Sequence, residues 1–136
     1  MHDVLVVIGI YSLLWGIMPF SMEIDQSFIA AILTVIGYSI NDTVVVYDRL
    51  REFLPLHRKR PVGDVLNLAL NDTLSRTLNT GVSSILVLLV MFFFGGATIR
   101  GFLFAMVVGI IVGTYSSIFV ATPIVYDTTR KKGIRT

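Results

Sequence analysis

The sequence predicts an all-α membrane protein with about four transmembrane helices and a short amphipathic helix on the cytoplasmic side. Three observations carry this expectation. Hydrophobic residues make up 54% of the chain and charged residues only 15%, against roughly 25% in an average soluble domain. Mean hydropathy is +0.80. Last, the apolar residues fall into four continuous runs of span length. A soluble domain of 136 residues has too small an interior to hide that much apolar surface, so lipid is the fitting solvent.

The runs cover about 4–20, 28–47, 76–95 and 101–125. Each is near the ~20 residues that carry a helix across a hydrocarbon core of ~30 Å. Only helices and closed barrels satisfy their backbone in lipid, and runs this long exclude a barrel. The first run closes at Met18-Pro19 and the fourth at Pro123. Between the second and third runs, residues 61–75 read as an amphipathic helix on the inner membrane surface. Pro61 suits a first helical turn and Asp64 its positive end. Val62, Val65, Leu66, Ala69 and Leu70 then form one apolar stripe that runs directly into the third span. Together these form one transmembrane domain. The first run starts at residue 4 with almost no flank and no signal-peptide pattern. That reads as a piece of something longer.

Charge placement sets orientation. Nine of the eleven basic residues lie in the central connection (Arg49, Arg51, Arg58, Lys59, Arg60) or the tail (Arg130, Lys131, Lys132, Arg135). The connection between runs one and two holds Glu23 and Asp25 and no basic residue. By the positive-inside rule the basic segments, and with them both ends of the chain, are cytoplasmic. The same rule accounts for the net charge of +2. The basic clusters are topological, with anionic lipid as a contact and no nucleic acid as partner.

Inside the second run lies Gly37-Tyr38-Ser39-Ile40-Asn41-Asp42-Thr43. An Asp at the centre of a span costs ~2.5–3.5 kcal/mol on the insertion scale. Thr34, Tyr38, Asn41 and Asp42 share one face at helical spacing, which must meet another helix or water. Val44, Val45 and Val46 supply lipid contact. The residues leave two readings of Asp42 open: a structural carboxylate hydrogen-bonded to a partner, or a group that takes up and releases protons. In the third span Thr73, Arg76, Thr80, Ser83 and Ser84 recur along a polar face. Arg76 stays charged at any relevant pH and lies at a depth where it can meet Asp42. It can equally snorkel to lipid phosphate. Burial favours the neutral carboxyl and a nearby guanidinium favours the carboxylate, so separating the two would swing the proton affinity of Asp42.

Gly109, Gly113 and Ser117 repeat every four residues in the fourth run, a spacing that lets helix backbones approach closely. Tyr115 and Ser116 beside them are open to a water-filled path. Gly95-Gly96 reads as the outer turn. Asp48, Arg51 and Glu52 read as interfacial ion pairs of little energetic worth. With no Cys, no P-loop and only His2 and His57, neither a metal site nor nucleophilic enzyme chemistry is expected.

The run from Gly37 to Arg49 resembles the signature of SecF, the membrane subunit of the bacterial SecDF translocation factor. The likeness continues in His2-Asp3-Val4, Thr73-Leu74-Ser75-Arg76-Thr77, Gly95-Gly96 and Gly113-Thr114-Tyr115-Ser116-Ser117. The resemblance implies an RND-type bundle and the last four of six spans in a SecF half. It implies export work in the bacterial inner membrane, alongside SecD (separate or fused), the SecYEG channel and YajC. It implies protons as the coupling ion, with no other cofactor. Asp42 and Arg76 then match the family's functional intramembrane pair, and Tyr38, Asn41 and Thr80 become its supporting polar face. A fixed Asp42–Arg76 pair in a docking module, or another RND-like exporter, are the alternatives.

Overall fold

The structure, a computed structural model, describes residues 1–131. Lys132 and Arg135 of the basic tail lie outside the described residues. Five helices follow in order: α1 (His2–Leu13), α2 (Gln26–Leu56), α3 (Val62–Phe94), α4 (Ala97–Phe119) and α5 (Ala121–Lys131). Three stretches are long and apolar enough to cross a membrane: α2, α3, and α4 together with α5. The helical membrane architecture expected from the sequence is the one the chain adopts.

The first apolar run differs from its expected form. The helix stops at Leu13 after 12 residues, a rise of about 18 Å. Gly16 then takes a φ of 80°, which turns the chain, and Pro19 disfavours helix at Met18. Residues 14–20 remain apolar in turns, with Leu14, Met18 and Phe20 packed back on the core. Apolarity alone does not distinguish this segment from a helix.

α2 begins where Asp25 caps it, its carboxylate accepting from the Phe28 backbone N–H at 2.9 Å. The expected surface helix and the third span are one 33-residue helix, α3, about 50 Å long. Its stripe meets protein rather than the membrane surface. Val65, Leu66 and Ala69 are buried with Leu50 of α2 and packed by Phe53, Leu54 and Val125. The turn at Gly95-Gly96 reverses the chain into α4. Here a Cβ on Gly95 would collide with the Met91 carbonyl, so glycine is required. Pro123 lacks the N–H for helical bonding and crowds the carbonyl four residues back. The fourth run accordingly breaks at Val120 into α4 and α5.

α4 is the central helix and packs on all four others. It lies parallel to α2: Val35, Ser39 and Asp42 of α2 meet Gly109, Gly113 and Ser117 of α4 in that order. α1 runs antiparallel to α2. Asp3 meets Ser39 at one end of this contact, and the Tyr11 and Phe28 rings lie 4.4 Å apart at the other.

Candidate functional site

Asp42 sits on the inward face of α2 and is 9% exposed. Two hydroxyls hold it. Ser117 Oγ of α4 donates to Oδ2 at 2.7 Å, and Thr77 Oγ1 of α3 donates to Oδ1 at 3.2 Å. The carboxylate therefore joins three helices. It is buried because every fourth α4 residue facing it is small, so α2 and α4 approach closely. Ser117 is more than the packing residue expected from its spacing, because it binds the carboxylate directly.

The Ser117 hydroxyl is also 3.0 Å from the Thr114 carbonyl. It carries one proton and so has a choice of acceptor. Against an ionised Asp42 it donates to the carboxylate. Against a protonated Asp42 it accepts from the carboxylic acid and donates to Thr114. The Ser117 hydroxyl thus has an acceptor in either protonation state.

Arg76 is not the partner of Asp42. Ion pairs among the described residues are His2–Asp3, Arg49–Glu52 and Arg49–Asp72. Arg76 is exposed and lines a polar cleft of about 340 Å³ with Val45, Asp48, Glu52 and Asp72. Helical geometry explains the swap. Thr73, Thr77 and Gly81 are four residues apart and all buried, which turns Arg76 and Thr80 outward. The polar face expected on α3 therefore divides: Thr73 points inward, Arg76, Thr80 and Ser83 are exposed, and Ser84 is partly buried. Thr77 was missed by sequence reasoning. Its signal was the same four-residue spacing of small side chains that marked α4.

α2 also divides. Asn41 and Thr34 are exposed, and Thr34 bonds the Ala30 carbonyl of its own helix. Tyr38 does support the site, with its hydroxyl 3.3 Å from Thr114 Oγ1. Of the three valines, Val44 faces outward while Val46 is buried. At the basic end, Arg49 bridges Glu52 at 2.7 Å and Asp72, rather than Asp48, Arg51 and Glu52 pairing among themselves.

A second cleft, about 470 Å³, lies on the other side of Asp42. Thr34, Tyr38, Ser83 and Ser84 give it polar groups on an apolar wall. Tyr38 lines it one turn before Asp42, and Val45 and Thr73 line the Arg76 cleft one turn beyond. Asp42 thus stands between two clefts toward opposite ends of the bundle.

Residues 1–131 match the family described as protein export membrane protein SecD/SecF, C-terminal. The protein translocase subunit SecF of Rhodothermus marinus is 56% identical over 126 residues, covering 93% of this chain and 41% of that protein. SecF of Cereibacter sphaeroides is 50% identical over 124 residues, covering 91% and 36%. A crystal structure of SecDF in a super-membrane-facing form superposes with a TM-score of 0.84 at 46% identity, covering 96% of this chain and 17% of that one. The chain therefore spans about two-fifths of these SecF relatives or less. A match across every described residue, with relatives at half identity or better, makes this chain a member of the SecD/SecF protein-export membrane family, within its C-terminal region.

Proposed function

We propose that the chain is the membrane bundle of a Sec export subunit in the bacterial inner membrane, with both ends cytoplasmic. In this reading it works with a SecD-type half and the SecYEG channel, with YajC as an accessory partner. Protonation of Asp42 couples the proton-motive force to a late step of translocation. The observation that carries the reading is the placement of Asp42: buried, held by hydroxyls from two other helices, and set between two clefts.

The coupling has a physical basis. An ionised Asp42 accepts two charge-assisted hydrogen bonds, each worth roughly 1.5–3 kcal/mol, and so draws α3 and α4 onto α2. Protonation reduces them to neutral bonds of about 0.5–1.5 kcal/mol. Proton binding therefore loosens the junction of three helices. The cleft lined by Tyr38 serves one side of the membrane and the Arg76 cleft the other. Arg76 favours the Asp42 carboxylate whenever the helices bring the two together. The docking-module alternative needs a fixed Asp42–Arg76 pair, which this arrangement lacks.

The test is Asp42→Asn in the full-length protein, assayed in membrane vesicles with and without a proton gradient. The gradient-dependent stimulation of export is expected to disappear while the complex assembles normally. Full stimulation in that variant would refute the proposal.

A further inference from the structure

Asp42 has company. Asp3 of α1 is 7% exposed, so two carboxylates are buried in one small apolar bundle. The Ser39 hydroxyl of α2 donates to Asp3 Oδ2. His2 Nδ1 lies 3.1 Å from Oδ1, and Ser116 of α4 is close enough to interact with the same carboxylate. The partners of the two acids are neighbours in the chain. Ser39 precedes Asp42 by three residues on α2, about 4.5 Å along the axis. Ser116 precedes Ser117, which holds Asp42.

The groups facing this pair are nearly all neutral. α2 contributes Ser39 and, one turn away, the Tyr38 phenol. α3 contributes Thr77, and α4 contributes Thr114, Ser116 and Ser117. From α1 comes His2, whose side chain is 47% exposed. Among the described residues, neither carboxylate pairs with a Lys or Arg. Asp3 is bonded to a residue one helical turn from Asp42, and like charges about a turn apart in a low-dielectric interior disfavour double ionisation, so a proton on one acid favours the carboxylate on the other.

We propose that Asp3 is a second proton-binding residue coupled to Asp42. The inference rests on the proton-exchanging reading of Asp42 and extends it. The hydroxyl-lined seam between α1, α2 and α4 carries the proton between the two acids. An O–H bond breaks at one carboxylic acid, an O–H bond forms at the other carboxylate, and intervening hydroxyls or water relay the proton. No other bond changes.

The test keeps Asp3 in place. The full-length protein in native membranes is treated with dicyclohexylcarbodiimide, which modifies protonated buried carboxyls, across a pH series. Adducts are then mapped by mass spectrometry. Labelling of both Asp3 and Asp42 is expected to fall as pH rises. In Asp42→Asn, loss of the neighbouring negative charge makes Asp3 easier to ionise. Its labelling midpoint is therefore expected to move to lower pH by about one unit, tenfold in proton affinity. An unmoved midpoint, or no labelling of Asp3 at any pH, would overturn the inference while leaving the Asp42 reading intact. Absence of labelling at Asp42 itself would instead remove the reading on which it rests. As a second arm, Asp3→Glu is expected to keep gradient-driven export with a displaced pH profile. Asp3→Asn is expected to lose it more than tenfold in an assembled complex. Unchanged export with Asp3→Asn would also overturn the inference.

Discussion

The tight contact of Gly109 on α4 with Val35 on α2 yields the sharpest prediction. A Cβ placed on Gly109 would overlap Cγ2 of Val35 and lie 2.9 Å from its Cγ1 and 3.0 Å from its Cβ. Ordinary carbon contacts are ~3.5–4.0 Å. Val35 has no exposed surface into which it can retreat, and its branched Cβ holds it to essentially one rotamer in a helix. In Gly109→Ala, α2 and α4 must therefore separate by roughly 1.5 Å, at the upper end, about 2–3 kcal/mol, of the cost typical of overpacking. Alanine recovers up to about 1 kcal/mol of helix propensity, which leaves a net loss of about 1–2 kcal/mol. Gly113→Ala is the control. Its Cβ would lie 3.5 Å from Ser39 Cβ and Tyr38 Cδ1, in ordinary contact. The assay is thermal or denaturant unfolding of the full-length protein in detergent for Gly109→Ala, Gly113→Ala and Gly109→Ala with Val35→Ala. The first is expected to be destabilised, the second close to the parent, and the pair more stable than the sum of its singles. Equal stability of the two glycine variants, or strict additivity in the pair, would refute the packing argument.

Other predictions concern the site and its supports. Ser117→Ala and Thr77→Val each remove one hydroxyl from Asp42, and each is expected to shift the pH dependence of gradient-driven export. Their combination should shift it further, as read from the pH profile in vesicles. Exchanging the charges, Asp42→Arg with Arg76→Asp, is expected not to restore function, because the two residues form no pair; recovery of export would show that they do. Leu66→Ala removes a side chain that is 5% exposed among α2 and α3 and should cost about 2–4 kcal/mol. Hydrogen exchange is expected to accelerate at 50–56 and 62–70, and to remain unchanged around Asp42.

Much of this architecture was legible in the chain. The four apolar runs follow from the absence of water in the bilayer core, and the Gly109–Gly113–Ser117 spacing marked a close helix contact. Asp42 stood out because a carboxylate within a span is costly and needs a partner. Choosing that partner required helix rotation. Arg76 and Thr77 are adjacent in sequence but about 100° apart on the helix, and only packing decided which faced inward. Thr73, Thr77 and Gly81 carried that information as a small-residue stripe, but the charge of Arg76 was the louder signal. Asn41 misled for the same reason, since it adjoins Asp42 in sequence yet faces outward.

By itself, then, the sequence determined the solvent, the helices and the presence of an acid in their midst. Those properties depend on local composition and on the cost of unsatisfied polar groups in hydrocarbon. Tertiary structure alone decided that Asp42 is held by Ser117 and Thr77, that Arg76 lines a separate cleft, and that Asp3 joins the buried acids. Those outcomes depend on which faces of four helices meet, and that is set by the fit of small residues against large ones across contacts such as Asp42–Ser117, 75 positions apart in the chain.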